Sequence, residues 1–218
     1  GGGILNESTL TLSNDAITNN RAIGGDTTDT ASHGGTGWGG GIFSSGTAKI
    51  SQCAISSNQA VAGNMSNIDR LAFKPGGAEG GGIFCVGSMS ITASSVSQNS
   101  TSGYGFNGSG FFTPNQGGGI YNDGTLTISS SIISSNTVSG NIPGVFPSGQ
   151  FFGGGLFQDG FSGNANLHIT NSTISDNLVK GLNRISGSPA GSDGPDGTSG
   201  ANGTGANGGP GGNGGGHA

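Results

Sequence analysis

Charge is scarce in this sequence. Of 218 residues only 8% are Asp, Glu, Lys or Arg, and the net charge is −5, whereas soluble domains carry roughly a quarter of such residues. Six basic residues against eleven acidic ones exclude nucleic-acid binding driven by bulk electrostatics. Long apolar runs are also missing, which excludes a membrane span. The two cysteines, Cys53 and Cys85, are too few for a disulfide scaffold, lack metal-site spacing, and leave their redox state open. There is no initiator Met and no charged and apolar leader. The chain therefore reads as a mature form or a fragment, with any targeting signal lying outside it. Ordinary disorder fits poorly as well, because it couples low hydrophobicity to high charge, and here aliphatic residues recur at fixed places.

Glycine is abundant, at 50 residues, and it is organised. A Gly-Gly-Gly string followed by Ile or Leu starts at Gly1, Gly39, Gly80, Gly117 and Gly153, at intervals of 38, 41, 37 and 36 residues. Such spacing marks one structural unit with a variable insert. Three residues after each first glycine stand Ile4, Ile42, Ile83, Ile120 and Leu156, followed by Leu5, Phe43, Phe84, Tyr121 and Phe157. The pairs Leu10/Leu12, Ala48/Ile50, Met89/Ile91 and Leu126/Ile128 then alternate with Thr, Ser or Lys, which is the period of a strand. Ile17, Ile55, Val96 and Ile133 follow, and then Asn20, Asn58, Asn99 and Asn136. The fifth copy keeps this order with five extra residues, supplying Leu167, Ile169, Ile174 and Asn177. All seven prolines fall outside these cores, as expected if the cores pair into ladders that proline would interrupt.

A 20-residue unit of short strands cannot bury its own apolar side chains. Stacked at ~4.8 Å, successive units pair every strand above and below and align the aliphatics in columns. The expected fold is all-β, a parallel β-helix (β-solenoid) of about five coils over residues 1–177, a rod of roughly 24 Å, with long Gly/Ser-rich loops at one corner. Residues 178–218 read as a Gly-rich tail, or as a long loop to a further coil beginning at Gly214.

The segment Gly117 to Ile128, Gly-Gly-Gly-Ile-Tyr-Asn-Asp-Gly-Thr-Leu-Thr-Ile, closed by Asn136, resembles the repeats of right-handed parallel β-helix surface and passenger-type proteins. The nearest pattern is that of the polymorphic outer-membrane protein family. This resemblance covers Gly1 to about Asn177. It implies a right-handed solenoid and an exported, extracellular or cell-surface protein.

Several columns invite a chemical reading. The triple glycines lack the Lys-Ser/Thr or helix start of a phosphate loop, so they read as corners needing positive φ or close backbone approach. Asn20, Asn58, Asn99, Asn136 and Asn177 read as a structural ladder, since stacked amides pair along the axis and Asn tolerates the left-handed conformation of a turn. Asp123 and Asp159 share one offset, with Glu7 at the same place in the first coil. Paired carboxylates suit glycoside hydrolysis or Ca²⁺, but each is followed by Gly, which is tight-turn chemistry, so calcium is the weak candidate cofactor and no other is expected. Phe43, Phe84, Tyr121 and Phe157 alternate outward as an aromatic stripe. They suit a protein interface or a glycan if open, or a small satellite core if Phe106, Phe111, Phe112, Phe146, Phe151 and Phe152 fold over them. His33, His168 and His217 are dispersed. Of the six basic residues only Lys49 lies in a core, which argues against a catalytic face.

The expectation is a non-catalytic extracellular or cell-surface scaffold, adhesive segment or filament subunit. Its partners would be copies of itself or neighbouring segments stacked end to end, with surface glycans as a further class. A carbohydrate-binding or polysaccharide-cleaving β-helix is the alternative.

Overall fold

The computed structural model describes residues 1–27, 34–63, 76–104, 114–141, 151–160, 163 and 165–181. Among them the regular structure is all strand, and no helix is long and apolar enough to cross a membrane. The chain winds into five coils of a right-handed parallel β-solenoid.

Five sheets run along the rod, each taking one strand per coil. Sheet 1 holds Ile4–Asn6, Ile42–Ser44, Ile83–Cys85, Ile120–Asn122 and Leu156–Gln158. Sheet 2 holds Thr9–Ser13, Thr47–Ser51, Ser88–Thr92, Thr125–Ser129 and Asn166–Thr170. Sheet 3 holds Ala16–Thr18, Ala54–Ser56, Ser95–Ser97, Ile132–Ser134 and Thr173–Ser175. Sheet 4 follows the ladder asparagines with Arg21–Ile23, Gln59–Val61, Ser100–Tyr104, Thr137–Asn141 and Leu178–Gly181. Sheet 5 precedes the triple glycines with four strands, Gly37–Trp38, Ala78–Glu79, Asn115–Gln116 and Phe151–Phe152. All pairings are parallel and in phase with the repeat, so that Ile42 lies between Ile4 and Ile83, and Ile91 between Ile50 and Ile128.

Strand alternation directs aliphatic columns inward, one each from sheets 1 and 3 and two from sheet 2. Ile42, Ile83 and Ile120, with Ile50, Ile91, Ile128, Ile55, Val96 and Ile133, are fully buried, each contributing about 1.5–3 kcal/mol of apolar burial. Their counterparts in the end coils, Ile4, Leu10, Leu12, Leu156, Leu167 and Ile169, are partly buried. A second, smaller core of Ala60, Ala62 and Ala78 lies between sheets 4 and 5. The variable segments leave and rejoin the rod between these two sheets, at the corner expected for the loops. Pro114 directly precedes its sheet 5 strand, and the other six prolines lie outside the described residues. So does the Gly-rich stretch from residue 182 onward.

Corners need backbone that turns sharply, and three places per coil supply it. Gly39, Gly80, Gly117 and Gly153 have φ between +59° and +64°. The other two corners use ordinary residues in the same left-handed region. Asn14, Gln52, Ala93, Ser130 and Asn171 turn the chain from sheet 2 to sheet 3, and Asn19, Ser57, Gln98, Ser135 and Asp176 turn it from sheet 3 to sheet 4. The left-handed residue is thus the one before each ladder asparagine, not the asparagine, whose side chain serves the ladder instead.

Candidate functional site

The polar columns of the interior are bonded along the axis. Each ladder asparagine donates its backbone N–H and its Nδ2 to the Oδ1 of the next: Asn20 to Asn58, Asn58 to Asn99, Asn99 to Asn136 and Asn136 to Asn177, at 2.9–3.0 Å. The second Nδ2 hydrogen closes on a sheet 3 carbonyl of the preceding coil, as from Asn99 to Ile55 at 2.9 Å. The third glycine of each triple forms the floor of this column. A Cβ on Gly82 would lie 2.9 Å from Asn99 Cγ and 2.8 Å from the Gly119 carbonyl. The middle glycine faces backbone instead, with a Cβ on Gly81 meeting Gly118 O at 2.2 Å. The glycine triple and the asparagine seventeen residues after its last glycine (twenty-two in the fifth coil) are therefore two halves of one packing unit.

A second ladder has no counterpart among the sequence motifs. Cys53 N–H donates to Ser94 Oγ at 3.0 Å, Ser94 N–H to Ser131 Oγ at 3.1 Å, and Ser131 N–H to Ser172 Oγ at 3.1 Å. Each serine hydroxyl then donates to the carbonyl two residues before it, at 2.7–2.8 Å. Cys53 occupies a serine position in this column, its Sγ directed at Ser51 O. Both cysteines are buried free thiols, and burial pushes the Cys85 thiol up to about 11, which keeps it protonated and unreactive at neutral pH.

The outer face of sheets 1 and 5 carries the aromatic and acidic residues. Phe43, Phe84, Tyr121 and Phe157 stack at centroid distances of 5.1, 4.7 and 5.8 Å, Phe84 and Tyr121 only 1° from coplanar. Coil spacing accounts for this geometry, since rings on adjacent parallel strands share one register. Beside them, sheet 5 presents Trp38, Glu79, Gln116 and Phe152. Trp38 packs on Phe43 and Phe84 at 6.1 and 5.6 Å, and Phe152 stacks on Phe157 at 5.8 Å. The middle of the stripe is closed, with Phe84 and Tyr121 6% exposed, while its two ends, Trp38 and Phe152, are 46% and 40% exposed. Phe106, Phe111, Phe112 and Phe146 lie outside the described residues.

Three carboxylates face this region. Tyr121 donates its hydroxyl to Asp159 Oδ2 at 2.6 Å, and burial, reinforced by that bond, holds the phenol well above its usual range. Glu79 was not singled out by sequence, because it occurs in one coil alone and its neighbours are not acidic. Burial pushes it up to about 7, Asp159 and Asp123 add to the rise, and a hydrogen bond with Trp38 opposes it. Asp123 N–H donates to Cys85 O and Asp159 N–H to Asn122 O, each at 2.8 Å, so both backbones are fixed by the coil ladder. Among the described residues no group of three or more His, Cys, Asp or Glu side chains is gathered as for a metal ion.

The remaining outward positions are dispersed. Sheet 2 shows Thr9, Thr47, Ser88, Thr125 and Asn166 in one row and Thr11, Lys49, Ser90, Thr127 and His168 in the next. Arg21 donates to Gln59 at 3.0 Å along sheet 4. His33, Arg70, Lys74, Arg184 and His217 lie outside the described residues. The chain matches no family model, no curated protein and no solved structure. The likeness to polymorphic outer-membrane repeats therefore rests on the repeat motif alone, and the parallel β-solenoid is what the coordinates establish.

Proposed function

We propose that this chain is a non-catalytic scaffold, an extracellular or cell-surface rod that holds long Gly-rich loops at one corner for adhesion or assembly. One observation carries the reading: the recurrent polar positions are engaged along the rod axis in holding coil to coil. The asparagine and serine ladders use their donors and acceptors on one another, which leaves them no role toward a substrate. Sequence variety is concentrated in the loops, which a rigid ladder can present without altering its own registry. The repeat resemblance to surface and passenger-type proteins supports the location.

The test is protease shaving of intact cells of the native source, followed by detection of this chain in the released fraction. Release from intact cells is the expected result. Recovery only after lysis would refute the surface assignment.

A second reading, glycan binding, is favoured by the paired exposed rings Trp38 and Phe152 flanking Glu79, Tyr121 and Asp159. Retardation in polysaccharide-containing native gels, lost on Trp38→Ala and Phe152→Ala, would favour it. Release of reducing ends or unsaturated sugars would establish an enzyme and remove the scaffold reading.

A further inference from the structure

The smaller core between sheets 4 and 5 changes character from coil to coil. Ala60, Ala62 and Ala78 pack together in coil 2. The strand registers place Thr101 next to Ala60 and Asn115 next to Ala78, so these two residues take the same positions one coil further on. Val138 and Phe151 take them in coil 4. A polar layer therefore lies between two apolar ones, in the middle of the rod and away from both of its ends. Thr101 and Asn115 are fully buried. Asn115 Nδ2 is satisfied, donating to Gly103 O at 3.1 Å and to Ser139 O at 3.2 Å. Thr101 Oγ1 and Asn115 Oδ1 have no hydrogen-bond partner among the described residues, not even each other, and no other buried side-chain oxygen or nitrogen among those residues is left so.

We infer that one ordered water molecule is built into this layer, accepting from the Thr101 hydroxyl and donating to Asn115 Oδ1. A buried hydroxyl and a buried amide oxygen without partners forfeit the hydrogen bonds that solvent gives them in the unfolded chain, and an internal water held by roughly two to four polar groups restores them. No side chain of the adjoining layers can do so. Thr101 has Ala60 and Val138 as its neighbours along the rod, and Asn115 has Ala78 and Phe151, none of which carries a donor. Gly103, whose main chain is closest to the Asn115 amide, has no room for a side chain, because a Cβ there would lie 2.4 Å from Ala62 Cβ and 3.2 Å from Asn115 Oδ1. The water joins the strand that leads into residues 105–113 to the strand that follows them. The two preceding variable segments are closed at the same place by glycine main chain, Gly35 N–H donating to Gly25 O at 2.8 Å and Gly76 N–H to Gly63 O at 3.1 Å. In coil 3 the Asn115 amide and its water close the neck instead.

The experiment is urea unfolding of the full chain and of Thr101→Val, a change that keeps the side chain's shape, removes its hydroxyl and installs the residue that coil 4 carries at this position. With the water in place, the variant takes away one of its partners, and the folding equilibrium constant should fall at least about fivefold. Without it, the same change replaces an unpartnered hydroxyl by a methyl group in an apolar column, which stabilises. A folding constant that is unchanged or higher therefore overturns the inference. A crystal structure of the wild-type chain gives a second reading that does not depend on the variant folding. Spherical density about 2.8 Å from both Thr101 Oγ1 and Asn115 Oδ1 is the expected result. Close apolar packing with no density between them, or a direct bond from Thr101 to Asn115, overturns it. Neither result bears on the scaffold reading, which rests on the asparagine and serine ladders.

Discussion

Replacing Asn99 by alanine removes the centre of the asparagine ladder and should cost far more than its hydrogen-bond count at the rod's end suggests. The Asn99 side chain is fully buried. It accepts the Asn58 N–H and Nδ2 at 3.0 Å each and donates to Ile55 O at 2.9 Å and Asn136 Oδ1 at 3.0 Å. Alanine leaves Asn58 Nδ2 its bond to Ile17 O, and Asn136 Oδ1 its bond from the Asn99 main chain. It leaves the Asn58 N–H and the side of Ile55 O that faced Nδ2 with nothing. At about 1–3 kcal/mol for each buried group deprived of a partner, the loss is about 2–6 kcal/mol. Asn20→Ala, at the open end, forfeits one half-buried donated bond, about 1 kcal/mol. Urea unfolding followed by far-ultraviolet circular dichroism gives the totals, and native-state hydrogen exchange at the Asn58 N–H reports the local opening. Equal losses for the two variants, or unchanged Asn58 protection in Asn99→Ala, would refute the view that the ladder holds the coils.

Glu79 should make stability fall as pH rises. Its folded pKa of about 7 lies above the ordinary 4.5, so the fold favours the neutral acid, and stability present below about pH 4.5 is lost progressively up to about pH 7. The loss is about 3 kcal/mol at 1.36 kcal/mol per pH unit, read as the urea midpoint at pH 4.5 against pH 8, and Glu79→Gln should flatten the profile. In the serine ladder, Ser94→Ala orphans the Cys53 N–H and is expected to cost about 1–3 kcal/mol, whereas Cys53→Ser, which restores the column's usual residue, should stay within about 0.5 kcal/mol by the same denaturation assay. Gly82→Ala forces its Cβ against Gly119 O and Asn99 Cγ and should cost at least about 2 kcal/mol. Gly160→Ala meets nothing within 4 Å and should leave the thermal midpoint unchanged.

The solenoid was legible in the sequence because its inner columns are made of residues with few other uses. Triple glycines, Ile or Leu three residues later, and an asparagine at a fixed distance repeat whatever the loops do. Sheet 4 was less legible. Its inward residues, Ala22, Ala60, Thr101, Val138 and Val179, are small or mixed, so no aliphatic run separates them from the loops, and the sequence reading left them in the variable segments. Sheet 5 has two-residue strands, too short for any periodicity to register. The left-handed corners at Ala93 and Gln98 carry no glycine to announce them, because the coil contacts impose the conformation. The coupling of Gly82 to Asn99 needed coordinates, since the two residues belong to separate motifs and meet only when the coil closes. Glu79 became visible through its burial beside Trp38, a property of packing that one acidic residue in one repeat does not encode.

The hydrogen bonds between coils run along the rod, and the covalent chain runs around it. Tension applied between the two ends is therefore carried across each coil boundary by non-covalent bonds alone, while the peptide backbone between neighbouring coils hangs slack. A boundary that yields pays out a full turn of 36–41 residues, about 130 Å of extended chain at 3.3–3.6 Å per residue, in place of a single ~4.8 Å step. Pulled from its ends, this molecule behaves as a reel that lengthens turn by turn and absorbs work over a distance many times its folded length.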